Sequence, residues 1–258
     1  MTRGGGGRKP STSVGRGPEF TVMTYNVGNG LARPDRLASA LRSSGAGVIG
    51  LQELDQSQSR ALEGSLSEEY PYQILLPAGF EGMGLLSRYP ATSAEVISLP
   101  PTADLICTLD LEGRKVTIIV AHPPPPISFS GMGFGGRTEA RIRRVIEAAT
   151  SAPPSVILGD LNAASWQKTC CQLRGAGLLD AFAAAGRGRG STLPVRLGRW
   201  RRLEAVNRIL MGLPLLPLVR VDYIWHTSDI QPVGAWLGED AGSDHLPGLA
   251  RVALRIRG

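Results

Sequence analysis

From Phe20 onward, proline, glycine and charged turns divide the chain into short apolar runs, some in tandem and some separated by helical spacing, and that rhythm leaves few folds open. FTVMTYNV and GVIGLQEL read as strands on either side of a helix over residues 34–42, which Pro34 opens near its first turn. YQILL, MGLLS, AEVISL, ADLICTLDL and KVTIIVAH then read as an antiparallel meander. A helix over residues 138–149 places Ile142, Val145 and Ile146 on one face and arginines on the other, ahead of the buried strand SVILGDLN. VRVDYIW and GLARVALRI close the set. Strands in both tandem and helix-separated order predict an α/β sandwich in which two mixed, mostly antiparallel sheets pack face to face with helices on the outer faces.

With 258 residues and 42% hydrophobic content the chain can bury one large core, so one domain is expected over residues 20–258. Residues 1–19 are glycine-rich and basic without an apolar centre, as expected of a flexible arm rather than a signal peptide. No run reaches the roughly 20 apolar residues that span a bilayer, so a soluble or peripheral protein is expected. Residues 186–220, rich in Gly, Arg, Pro and Leu, break the strand rhythm and read as an insertion. No internal repeat is visible. Cys107, Cys170 and Cys171 are odd in number and two are adjacent, which fits neither a disulfide framework nor a zinc site.

The polar residues concentrate at strand ends. Asn26 ends TVMTYN, Glu53 ends GVIGLQE, His122 ends VTIIVAH, Asp160 and Asn162 end VILGDLN, and Asp222 lies within VRVDYIW. Ser243, Asp244 and His245 precede the last strand. Any one of these alone reads as a turn cap or a solvated strand end. Together they suit metal-assisted phosphoryl chemistry: a hard cation such as Mg²⁺ takes carboxylate and amide oxygens, which Glu53 and Asn26 offer. In-line hydrolysis also needs a held water and donors around the phosphoryl oxygens, for which Asp160, Asn162, His122 and His245 are suited. A formal charge of +6 and a pI near 9.6 fit an anionic partner, whether nucleic acid, a phosphorylated metabolite or an anionic membrane surface, and dispersed surface arginine explains the charge equally well.

TYN, LQE, GLLSRYP, GDLN, RVDYIW and SDHLP, in that order, resemble the motifs of the endonuclease/exonuclease/phosphatase superfamily, whose DNase I-like fold is a four-layer sandwich. The resemblance implies a phosphoester hydrolase, nuclease or phosphatase, dependent on Mg²⁺ or Mn²⁺, with Ca²⁺ also compatible; a monomer is expected. Glu53 would be the principal metal ligand, with Asn26 beside it and Asp244 on the metal side. Asp160 would orient the water, Asn162 would contact the phosphate, and His245, polarised by Asp222, would stand at the phosphoryl group. His122 matches a second active-site histidine, and Glu81 the glutamate that pairs with it. A non-catalytic module of the same fold would lack one of these residues, and none is missing.

After His122 come four prolines, a flexible stretch, and Arg137 at the start of the basic helix, where it is a candidate for substrate phosphate. This combination resembles bacterial members related to membrane-associated teicoplanin-resistance phosphatases, which are thought to act on a lipid-linked pyrophosphate. LGRWRRLEAVNRILMGLPLLPLVR joins a cationic stretch bearing Trp200 to an apolar run with Leu213, Leu215 and Leu216. The run reads either as an interfacial segment meeting lipid headgroups or as core beside the Asp222 strand.

Overall fold

The computed structural model of the chain describes residues 15–99, 102–125, 135–196 and 215–256. Strand β1 (Gly15–Asn26) runs parallel to β2 (Val48–Gln52), and helix α1 (Pro34–Ser43) crosses between them. Helix α2 (Gln56–Ser65) leads to β3 (Tyr72–Leu76) and β4 (Met83–Ser87), an antiparallel pair with β4 beside β2. The chain then enters a second sheet by the hairpin β5 (Ala91–Leu99) and β6 (Thr102–Leu111), with β6 antiparallel to β7 (Arg114–Ala121). Helix α3 (Gly135–Ser151) carries it to β8 (Ser155–Asp160), parallel to β7. Helix α4 (Lys168–Gly175), β9 (Leu179–Asp180), helix α5 (Ala181–Ala185) and β10 (Asp222–His226) follow. The hairpin β11 (Ile230–Leu237) and β12 (Gly248–Ile256) returns to the first sheet, where β12 lies antiparallel to β1. The sheet orders are β11-β12-β1-β2-β4-β3 and β5-β6-β7-β8-β10-β9.

Side-chain alternation makes the four layers. In β1 and β2, Val22 and Val48 face the other sheet, where they meet Ile118, Val120, Val156 and Leu158. Their neighbours Met23, Tyr25, Ile49 and Leu51 face Leu37 and Leu41 of α1 and Leu62 of α2. On the far side, Ile119, Ile157 and Trp225 meet Val145 and Ala149 of α3 and Leu173 of α4. The three free cysteines take no part in a bridge. No helix among the described residues is long and apolar enough to cross a membrane.

Three expectations change. The five central strands are not one meander: β3 and β4 complete the first sheet and only β5 to β7 run in tandem in the second. The crossing falls at Arg88–Pro90, where the Ser87 hydroxyl accepts the Tyr89 N–H and donates to the Tyr89 carbonyl, turning the chain out of β4. Strand β1 starts at Gly15, inside the span expected to be an arm, with Gly15 opposite Ile256 and a bulge between Arg16 and Glu19. Strand β11 escapes a reading for strands because Pro232 and Gly234 interrupt it, and its register shifts between those residues.

Candidate active site

The C-terminal ends of the two parallel pairs lie together, because the sheets pack with β1 and β2 against β7 and β8. Gly159 brings the second pair in: a Cβ there would stand 2.1 Å from the Ala121 carbonyl, so only glycine lets the ends of β7 and β8 draw this close. His122, one residue past β7, and Asp160, ending β8, thereby come within 3.7 Å.

Asp160 Oδ2 is the centre of the cluster. It accepts the Asn26 Nδ2–H at 3.0 Å and lies 3.7 Å from His122 Nε2 and 3.8 Å from His245 Nε2. Asn26 Nδ2 also donates to Glu53 Oε1 at 3.1 Å, and His122 Nε2 is 3.8 Å from that oxygen. His245 Nδ1 and Asp222 Oδ2 are 2.9 Å apart, so the expected pairing is made. Asn26, His122, Asp160, Asp222 and His245 are buried, while the Glu53 side chain is 17% exposed and opens the cluster to solvent.

Local backbone holds these groups in place. Asn26 Oδ1 accepts the N–H of Gly28, whose φ of +70° makes that turn possible. In this arrangement Asn26 turns its nitrogen toward the two carboxylates and its oxygen toward Gly28. Glu53 has φ +56°, a left-handed backbone costing on the order of 1–2 kcal/mol in a residue of its kind. The Ser243 hydroxyl donates to the Asn26 carbonyl at 2.7 Å and accepts the His245 N–H at 3.2 Å, which pins the loop bearing His245 onto β1. Thr192 Oγ1 accepts the N–H groups of Val221 and Asp222, and Arg196 Nε donates to the Ser243 carbonyl. The described flanks of the expected insertion are therefore part of the site's framework. Sequence reasoning missed Thr192 and Arg196 because nothing in a Gly- and Arg-rich stretch announces such contacts.

The two histidines are driven apart in charge. Burial dominates at His122 and pushes its imidazole down to about 4. Burial also opposes charge at His245, but the carboxylates of Asp222 and Asp160 outweigh it and hold that ring well above the ordinary histidine range. In metal-free protein near pH 6.5, long-range ¹H–¹⁵N NMR should show His245 as an imidazolium and His122 as neutral, with Asp222→Asn lowering the His245 titration. A neutral His245 at that pH would sink this assignment.

Of the other expected residues, Asn162 donates its N–H to Asp160 Oδ1 and an Nδ2–H to the Pro123 carbonyl, so its amide ties two strand ends together. Glu81 closes a 3-10 turn at Gly79–Glu81, and the expected pairing with His122 is not made: the carboxylates beside that ring are Glu53 and Asp160. From the side of this turn it is the Phe80 backbone, one residue earlier, that acts on the ring. Arg137 is exposed on the first turns of α3. Leu215 and Leu216 are exposed, and Leu216 and Leu218, at 84% and 77%, are not core, while Trp200 and Leu213 lie outside the described residues.

The donor set fits a hard divalent cation. Burial pushes the Glu53 carboxyl up to about 7, with the charges of Asp244 and Asp160 adding to the effect and only Asn26 and His245 opposing it. The oxygens of such a crowd of carboxylates suit a hard cation such as Mg²⁺ or Mn²⁺. Ligand atoms of Asp160, Asp222 and His245 also lie within 4.8 Å of one another. There, however, Asp222 and His245 already bond each other, and a cation would have to break that pair.

A four-layer sandwich with this cluster where its sheets' parallel pairs end is a DNase I-like α/β fold. The chain belongs to the endonuclease/exonuclease/phosphatase family, whose sequence model matches residues 23–245. In structure it is similar to an endonuclease/exonuclease/phosphatase from Beutenbergia cavernae, with TM-score 0.72 and 20% identity over 92% of this chain and 72% of that one. D. rerio TDP2 complexed with single strand DNA product gives 0.69 and 20% over 91% and 98% of the two chains. Sphingomyelinase C from Streptomyces griseocarneus gives 0.66 and 19% over 91% and 99%. Comparison with curated protein sequences gives no match.

Proposed function

We propose that the chain is a divalent-metal-dependent phosphoester hydrolase that works by in-line attack of water. The observation that carries this reading is the position of Asp160 Oδ2 between the Asn26 amide and the Nε2 atoms of His122 and His245. Asp160 orients the water and accepts its proton. His245, its Nδ1–H held by Asp222, presents a positive Nε2–H to the phosphoryl group, where negative charge grows. His122 offers a neutral ring beside the same carboxylates. Glu53, with Asp244 beside it, would hold the cation, which in such a site neutralises charge on the phosphoryl oxygens. In this reading a single chain suffices, since every group named comes from one copy.

The direct test is hydrolysis of supercoiled DNA, single-stranded RNA, a phosphomonoester, sphingomyelin and an isoprenyl pyrophosphate, each with Mg²⁺, with Mn²⁺ and with chelator. At least one should be cleaved, and chelator should stop it. Failure on all five with either metal would end the reading.

One observation favours a lipid-linked phosphate as a second reading. Leu216 and Leu218 stand exposed on a segment whose Leu215 N–H bonds the Val195 carbonyl, while the Val195 N–H bonds the carbonyl of Asp244. The apolar rim is thus tied directly to the catalytic loop. Cosedimentation with anionic liposomes that falls with salt and is lost in Leu216→Ser/Leu218→Ser, with activity on a small soluble diester retained, would favour it. Plasmid cleavage without liposome binding would favour the nuclease.

A further inference from the structure

His122 is followed by prolines, and proline carries carbonyls without N–H groups, so β7 cannot hold this stretch by extending its ladder. Three other elements hold it instead. The β6–β7 register, with Leu105 opposite Val120, sets Asp104 beside the end of β7, where the His122 backbone N–H favours its charged form. Asn162, after β8, donates to the Pro123 carbonyl, and the buried Thr138 hydroxyl on α3 donates to the Pro124 carbonyl at 3.1 Å.

Asp104 is itself held by a buried cation. Arg141 lies one helical turn beyond Thr138 on the same face of α3. Its Nε donates to both Asp104 oxygens at 2.9 Å, and its Nη2 donates to Oδ1 at 2.6 Å and to the Ala103 carbonyl at 2.5 Å. The two side chains are 2% and 3% exposed. A sealed ion pair is commonly no more stabilising than an apolar pair of the same volume, because both charges lose their water. Stability alone is a weak reason for such a pair, and its place beside the end of β7 offers another.

We infer that Asp104 and Arg141 are positioning residues for His122, an ion pair built under the second histidine to fix where its ring stands against Glu53 and Asp160. Arg141 aims the carboxylate, the carboxylate anchors the His122 backbone, and Thr138 and Asn162 hold the next two residues. For its activity arm the inference rests on the proposed hydrolase reading.

The test replaces the pair together, as Asp104→Leu/Arg141→Met, so that no charge is left buried alone. On a small soluble phosphodiester, kcat should fall about 10- to 100-fold with KM little changed, as displacement of an active-site group does. In a His122→Ala background the same replacement should cost nothing further. Losses that multiply in that background, or unchanged kcat in the pair variant, would overturn the inference. Should the pair variant not fold, Arg141→Lys keeps the charge but loses the fork, and the same partial loss of kcat and the same dependence on His122 are expected of it. A readout without catalysis separates this idea from the hydrolase reading: the His122 ring cross-peaks at pH 7 should shift and broaden in either variant while those of His226, at the far end of β10, stay in place. Unmoved His122 signals would refute the positioning role even if no substrate is ever cleaved.

Discussion

Glu53→Gln should lower metal-dependent turnover on the order of 10³-fold or more, since a neutral amide replaces the main anionic ligand in a place where several kcal/mol of charge stabilisation are supplied. The same substitution should not weaken the metal-free protein, and at pH 8 it should strengthen it. The folded Glu53 carboxyl lies at about 7, above its ordinary 4.5. A group raised in this way contributes stability that is fully present below pH 4.5 and lost as the pH rises through about 7, because ionising it in its buried place is harder than in the unfolded chain. That rise corresponds to about 3 kcal/mol. Gln carries no such penalty. Thermal melts with chelator at pH 8 should therefore place the variant at or above wild type, whereas with saturating Mg²⁺ the order should reverse. Wild-type turnover, or a variant that melts well below wild type without metal, would each count against Glu53 as the ligand.

His245→Ala and Asp222→Asn should each reduce turnover by ~10²- to 10⁴-fold, the range of a positioned acid or base. The double variant should be little worse than the poorer single one, because the 2.9 Å bond makes the two side chains one device. Asp222→Asn keeps the shape but removes the charge that sustains the imidazolium, so its loss should grow as the pH rises, while that of His245→Ala should not. Independent, multiplying losses in kcat would separate the pair.

The candidate site was largely legible in the sequence because its chemistry stands at the ends of apolar runs, where a carboxylate or imidazole is conspicuous. Asn26, Glu53, His122, Asp160, Asp222 and His245 all converge. What could not be read is what touches what. The orientation of the Asn26 amide depends on an N–H two residues away, and the carboxylates that come near His122 are Glu53 and Asp160, not Glu81. Arg141 looked like one more arginine on the polar face of a basic helix, and only packing reveals that it is sealed. In the fold, α2 and α4 were missed because their apolar faces are short, with Leu62 the main core contact of one and Cys170 and Leu173 of the other.

The place of β1 between β2 and β12 also has a consequence in time. During synthesis β1 emerges long before β12, and until β12 arrives its outer edge offers unpaired N–H and C=O groups along eight registered positions, Gly15 to Thr24. Local contacts can form the early helices, but the first sheet closes only by joining segments more than two hundred residues apart, a slow kind of step. The loop bearing His245 enters with that same closing hairpin, so the cleft acquires its imidazolium last. A nascent or truncated chain ending before β12 should accumulate as an aggregation-prone, inactive intermediate, and activity should appear only with completion of the sheet.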